Sequence, residues 1–236
     1  MKKIIVLLIS VFTFSQVQAQ TSIFNDLLQK HVSKNGIVDY KSFKNDEGKL
    51  DRYISYLEET SPTNSWSKDK QKAFWINGYN AYTIKIILEN YPLKSIMNIN
   101  QKGKNAWEIP FAKIGGKNYT LNHIEHKILR KNLFDPKIHV GVNCASGSCP
   151  KISNIAFTEK NIDAELTRLM KDFINDTSRN KLAKKKIQIS SIFDWFKSDF
   201  TKDGSLIAFL NKYSETEISP EAKISFLKYN WTLNGK

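Results

Sequence analysis

The chain has 236 residues, a formal charge of +13 and two cysteines, which is enough for one domain with a sizeable core and too short for two full ones. Two cysteines do not make a disulfide-dense scaffold. The lysines are scattered apart from the run Lys181-Leu-Ala-Lys-Lys-Lys186, which reads as a solvated basic loop, and the aromatics alternate with aliphatics at core spacing, so no nucleic-acid partner is expected.

At the start, Lys2 and Lys3 precede an apolar run from Ile4 to Phe14, and Val17-Gln-Ala19 supplies small residues for a cleavage site. This is the pattern of a secretory signal peptide over residues 1–19. It predicts an exported protein, periplasmic or secreted, cut near Ala19 into a single domain over residues 20–236. Loss of Lys2 and Lys3 lowers the formal charge from +13 to +11. The apolar run is too short to span a bilayer, and no later stretch reaches about 18 apolar residues, so no transmembrane segment is expected after cleavage.

Ser22 to Val32 places Ile23, Phe24, Leu27 and Leu28 at helical spacing, and Asn35-Gly36 makes a turn. Asp46 to Glu59 repeats the pattern with Leu50, Tyr53, Ile54 and Leu57, ending at Ser61-Pro62. The next helix, Asp69 to Asn90, is apolar on nearly every face, as a helix buried within the core would be. On it Asn77 and Asn80 share a face; a buried amide without a partner costs roughly 1–3 kcal/mol, so both should bond something specific, a loop or a catalytic group. Gly78 in the helix interior predicts another backbone passing close.

Trp107 to Ile114 and Lys117 to Thr120, joined by Gly115-Gly116, read as a hairpin. A helix follows from Leu121 to Arg130, where Asn122 as N-cap with Glu125 three residues on resembles a capping box. Asp135-Pro136 is a turn, after which Ile138 to Val142 reads as a β-branched strand entering a loop of small residues, Asn143 to Ser148, stopped by Pro150. Thr158 to Ile174 is amphipathic, Ile187 to Ser190 a short strand, Ile192 to Phe200 and Ser205 to Tyr213 helical, and Ile224 to Trp231 a terminal strand. Without a recurring βαβ unit or repeat, the fold class is α+β: several helices around a small, mostly antiparallel sheet.

The reactive residues gather at 139–150. Cysteine acts as a nucleophile only as thiolate and needs a group that lowers its pKa. On a straight strand His139 and Cys144 would face opposite ways about 16 Å apart, so His126, on the preceding helix, is the expected base. The small residues Ala145 to Ser148 could let backbone N–H groups converge as an oxyanion site. His123, His126, Cys144 and Cys149 are a competing zinc set. A third reading is a non-catalytic module with a Cys144–Cys149 disulfide, whose short loop would gain little entropy. No nucleotide-binding or metalloprotease motif occurs, so no cofactor is expected.

Several blocks together resemble the family known as domain of unknown function 547, whose members include exported bacterial proteins and plant and animal chains. They are Ala73-Phe-Trp-Ile-Asn-Gly-Tyr-Asn-Ala81, Tyr91-Pro92, Leu121 to Arg130, Asp135-Pro136, His139 to Pro150 and Trp231-Thr-Leu-Asn234. The resemblance implies motif positions at Asn77, Asn80, Glu125, His126, Arg130 and Cys144, and places Cys149 where other members carry serine. The combined expectation is a papain-like cysteine hydrolase or acyltransferase acting on a peptide or cell-wall component. Cys144 is its nucleophile, His126 its base, and Glu125 or Asn80 orients the imidazole. Asn77, Arg130, Ser146, Ser148, Cys149 and His139 are the expected binding residues.

Overall fold

Everything else in the molecule is arranged around one buried helix. A computed structural model describes residues 21–236; the segment read as a signal peptide lies outside the described residues. Helix α1 (residues 21–31), α2 (Tyr40–Lys44) and α3 (Glu47–Glu59) pack ahead of α4 (Lys68–Glu89), which runs through the core. Ser67 caps α4 by accepting from Lys70 N at 3.1 Å, and from Lys72 to Leu88 all residues but Lys85 are buried. Such all-round apolarity is stable only when neighbours cover every face, and α2, α3, α7 and the helix at 121–132 do so. Lys72, at the start of α4, pairs with Asp135 at 2.9 Å, which fixes the turn that leads to the cysteine loop.

After a 3-10 turn at Ile96–Asn98, two tight hairpins follow: β1 (Asn100–Gln101) with β2 (Lys104–Asn105), and β3 (Ala112–Ile114) with β4 (Lys117–Tyr119). The second turns through Gly115 and Gly116 at φ 56° and 75°, the left-handed pair that a two-residue hairpin demands. Gly78 does accommodate a close neighbour, but it is a side chain: a Cβ there would stand 3.3 Å from Ile114 Cδ1, so α4 seats the hairpin and no backbone is involved.

The helix at 121–132 begins as α5 (Leu121–His123) and widens into a π-helical stretch, Ile124–Asn132. Its cap is Thr120, whose hydroxyl accepts from His123 N at 2.9 Å. The capping box expected of Asn122 and Glu125 therefore does not form, and Glu125 is free to turn inward.

Ile138 to Val142, expected as a strand, is a single helical turn, α6 (Ile138–Gly141). The Asp135 carboxylate accepts from Lys137 N at 2.9 Å and its carbonyl from Ile138 N at 3.0 Å, which starts the turn before β-branching can favour extension. The turn is then wedged between α4 and α7 (Ile162–Asn175). A Cβ on Gly141 would lie 2.8 Å from Leu166 Cδ2 and 3.0 Å from Ile76 Cδ1, so a larger residue would push those side chains aside. Strand propensity is a preference for a pleated, half-buried surface, and here no strand lies alongside.

The chain continues as β5 (Lys186–Ile189), α8 (Ile192–Trp195), α9 (Lys197–Phe200), α10 (Leu206–Asn211) and β6 (Lys223–Phe226). β5 and β6 pair in parallel, so the described strands form three separate two-stranded ribbons, two antiparallel and one parallel. The class is α+β, with helices dominating and no single sheet at the centre. Beyond β6 the terminal segment is not a strand in a sheet. It runs along the cysteine loop and ends on Val38, with Asn234 N bonded to Ala145 O at 3.1 Å and Val38 N to Asn234 O at 3.2 Å.

Among the described residues no helix is long and apolar enough to cross a membrane.

Candidate active site

Four segments meet at a cleft of about 190 Å³: α4 with Tyr79, the π-helical stretch with Glu125 and His126, the loop after α6 with Cys144 and Cys149, and the C-terminal part with Phe196, Tyr229 and Trp231. His139 lines the same cleft. The strand expectation put His139 and Cys144 on opposite faces; the helical turn of α6 instead delivers both to one cavity.

The loop at 143–149 is held shut from inside. Asn143 donates to Pro150 O at 2.8 Å and accepts from Ala145 N at 2.9 Å, which bridges the two ends of the loop. Asn234 donates to the same Asn143 oxygen at 3.0 Å and accepts from Tyr40 at 2.8 Å. From α4, Asn80 donates to Gly141 O at 2.9 Å and accepts from Asn143 N at 2.8 Å. From the other side Arg179 donates to Cys149 O at 2.9 Å and to Gly147 O at 3.2 Å.

Asn80 thus spends its amide on backbone, and no imidazole is among these partners; it positions the loop. Asn77 does the same for the segment before α7, donating to Phe157 O at 2.7 Å and accepting from Phe157 N at 3.0 Å.

The expected oxyanion site in the loop backbone is not available. Ala145 N goes to Asn143, Gly147 N to Thr232 O at 2.7 Å, Ser148 N to Asn230 O at 3.1 Å and Cys149 N to Ser146 O at 3.1 Å. Ser146 N bonds the Cys144 sulfur itself. Ser148 faces away from the cleft, its hydroxyl accepting from Asn230 N at 2.8 Å.

What the loop builds is a thiolate cradle. Both cysteines are free thiols, Cys149 buried and Cys144 partly exposed to the cleft. The Cys144 sulfur lies 3.2 Å from Ser146 Oγ and 3.3 Å from the Tyr229 hydroxyl, and the two hydroxyl oxygens stand 2.9 Å apart. Cys144 N donates to Cys149 Sγ at 3.2 Å. The Cys149 thiol, followed by the Ser146 and Tyr229 hydroxyls, hydrogen bonds to the Cys144 sulfur and outweighs the cost of burial, so the Cys144 pKa falls to about 6. Burial, and then the bond to the Cys144 thiolate, drives Cys149 well above the ordinary thiol range. Tyr229 is likewise pushed up by burial and by the two sulfurs, and stays a donor.

Glu125 is buried beside this anion. Burial first, and the Cys144 charge second, raise its carboxyl to about 7; the Tyr79 hydroxyl donates to it at 3.3 Å.

His126 does not have the role expected of a base. Arg130 Nη1 lies 3.1 Å from His126 Nδ1; a guanidinium can only donate, so Nδ1 accepts and the ring proton is assigned to Nε2. Burial and then the Arg130 charge lower the His126 pKa, which leaves a neutral ring that offers an N–H. Arg130 is locked in turn by a two-point pair with Asp199, at 2.6 and 3.0 Å, and lies 4.8 Å above the Phe196 ring.

His139 bonds Asp199 Oδ2 at 2.8 Å and stacks on Phe196 at 4.2 Å. Burial opposes ionisation of Asp199, yet the bonds from His139 and Arg130 hold its carboxylate well below the usual range.

The zinc set does not assemble. His123 packs edge-on against Tyr119 at 5.3 Å on the exposed side of its helix, and among the described residues no group of three His, Cys, Asp or Glu side chains is placed to hold a metal. His126 lines the cleft with the two cysteines and His123 does not.

One wall of the cleft was not foreseen. Trp195, Tyr229 and Trp231 pack on one another at 4.6–5.9 Å between centroids, and Trp107 meets Trp231 at 5.9 Å. Tyr229 and Asp199 reach the site from far along the chain and carry no local motif. Tyr79 could have been found, since it lies between Asn77 and Asn80 on α4.

These features define an α+β domain with a buried thiol centre. Residues 63–174 match the family described as "Protein of unknown function, DUF547". The match runs from just before α4 to the end of α7 and so takes in Asn77, Asn80, Glu125, His126, Arg130 and both cysteines; Asp199, Tyr229 and the block Trp231 to Asn234 lie beyond it. Comparison with curated proteins and with solved structures gives no match.

Proposed function

We propose that this domain is a cysteine-dependent hydrolase or acyltransferase with Cys144 as its nucleophile. The observation that carries the reading is the set of donors around one sulfur, from Ser146, Tyr229 and Cys149, which makes thiolate the resting form near neutral pH. A thiolate already formed needs no histidine to remove its proton. Cys144 adds to a substrate carbonyl and forms the acyl–sulfur bond as the leaving group departs. Glu125, half protonated near pH 7, supplies the proton to the leaving group and then takes one from the water or acceptor that releases the acyl group.

Because the loop N–H groups are committed, the developing oxyanion needs a side-chain donor, and the Nε2–H of His126 at the cleft fills that role. The wall of Trp107, Trp195 and Trp231 favours a flat or apolar group beside the scissile bond, within a peptide or cell-wall type of substrate. The domain is an exported one, cut from the signal peptide near Ala19.

The test uses an aryl thioester probe and intact-protein mass measurement. Wild type forms one acyl adduct, mapped to Cys144, and releases it slowly; Cys144→Ala forms none while keeping its circular dichroism. No adduct on wild type, or an adduct that survives Cys144→Ala, overturns the reading in favour of a non-catalytic binding module.

A further inference from the structure

Acyl transfer uses one sulfur, and the cradle contains two. Both line the cleft, Cys149 buried and Cys144 partly exposed. The two are in direct contact through thiol–thiol hydrogen bonding and through the 3.2 Å bond from Cys144 N to Cys149 Sγ. They are also fixed relative to each other. Asn143 joins the loop ends, Arg179 holds the carbonyls of Gly147 and Cys149, and the terminal segment pairs with Gly147 and Ser148.

As a hydrogen-bond donor to the Cys144 sulfur, Cys149 does what a hydroxyl could also do; acyl transfer has no use for a second sulfur. A reversible disulfide needs both sulfurs: one accessible and of low pKa to attack first, and a second, protonated and shielded, within reach to resolve.

We propose that Cys144 and Cys149 form a redox-active dithiol that exchanges with disulfides of small thiols or peptides. The Cys144 thiolate attacks one sulfur of a substrate disulfide RSSR, forming a Cys144–SR mixed disulfide and expelling RS⁻. Cys149 then attacks the Cys144 sulfur of that mixed disulfide. The Cys144–Cys149 bond forms, the second RS⁻ leaves, and the Cys149 proton passes to the departing thiolate. The two electrons lost by the dithiol are those gained by RSSR, which becomes two thiols, so no further oxidant is required.

The order of attack follows from exposure, since Cys144 is partly exposed to the cleft while Cys149, which lines the same cleft, is buried. The closed form has no thiolate at 144, so oxidation also switches off acylation. The inference shares Cys144 with the proposed function but stands or falls on Cys149.

The experiment equilibrates the reduced full chain with glutathione disulfide, quenches with acid, alkylates the remaining thiols and maps the peptides by mass. Wild type loses both thiols together and yields a Cys144–Cys149 cross-linked peptide, with little glutathione attached. Cys149→Ser accumulates one glutathione on Cys144, roughly ten-fold or more above wild type, because the neighbouring thiol that outcompetes solvent is gone. Cys144→Ser gives neither product.

A stable glutathione adduct on wild type, or loss of thiols without the cross-link, overturns the inference. The wild-type readout does not depend on any variant folding. Acylation of the reduced wild type by the thioester probe separates the two proposals. Acylation without cross-linking removes the dithiol and keeps the hydrolase; cross-linking without acylation does the reverse.

Discussion

Replacing Tyr229 by Phe removes one hydroxyl from the thiolate cradle and leaves the ring in place. The ring packs on Trp195 at 4.7 Å and on Trp231 at 4.6 Å, contacts a phenyl group keeps. The hydroxyl lies 3.3 Å from the Cys144 sulfur, a long bond to a weak acceptor. A hydrogen bond to a charged group contributes about 1.5–3 kcal/mol, and this geometry belongs at or below the lower end, about 1.4 kcal/mol. That corresponds to one pKa unit, so the Cys144 midpoint moves from about 6 to about 7. The assay is the rate of alkylation by iodoacetamide as a function of pH, with the modified site mapped. A midpoint unchanged in Tyr229→Phe, with the fold intact, refutes the claim that Tyr229 holds the thiolate.

Glu125→Gln tests the buried carboxyl. Its folded pKa, about 7, is raised from an ordinary value of 4.5. As pH climbs through that window the unfolded chain loses the proton while the folded chain keeps it, so native stability falls and then levels off above the folded value. Glutamine removes the effect: at pH 8 the variant gains up to about 3 kcal/mol over wild type, and at pH 4 it gains none. Denaturant unfolding at the two pH values measures this, and equal differences at both would contradict it. Asn80→Ala leaves Gly141 O and Asn143 N buried without partners and costs about 3 kcal/mol, seen as a lower Tm. Asn80→Asp does not restore it, because a carboxylate oxygen would then face Gly141 O where the amide now donates at 2.9 Å; full recovery by Asp would show that the amide does not clamp the loop.

Much of the scaffold was legible because burial is periodic. The spacing of Leu50, Tyr53, Ile54 and Leu57 marks α3, the unbroken apolarity of α4 marks its depth, and Gly115-Gly116 marks a hairpin. The buried amides on α4 were also legible as needing partners, though whether those partners were backbone or catalytic groups was not. The misreadings have local causes. Ile138 to Val142 has strand composition, but the Asp135 turn and the space between α4 and α7 impose a helical turn. Glu125 has the spacing of a capping box, yet Thr120 caps the helix first.

At the site, Cys144, Glu125, His126 and His139 converge as candidate residues should, but the role assigned to His126 reverses once Arg130 is seen to donate to it. That depends on a four-residue pairing within a π-helical stretch, whose register the sequence does not announce. Tyr229 and Asp199 approach from 85 and 60 residues away from the groups they bond, and only tertiary structure brings them in.

The central claim is that one of two neighbouring cysteines is the reactive thiolate, and a single alkylation experiment tests it. Native protein, kept reduced, is treated at pH 7 with less than one equivalent of iodoacetamide and the modified peptides are quantified. The cradle predicts modification at Cys144 with Cys149 protected. Equal modification of both, or Cys149 first, would contradict the account.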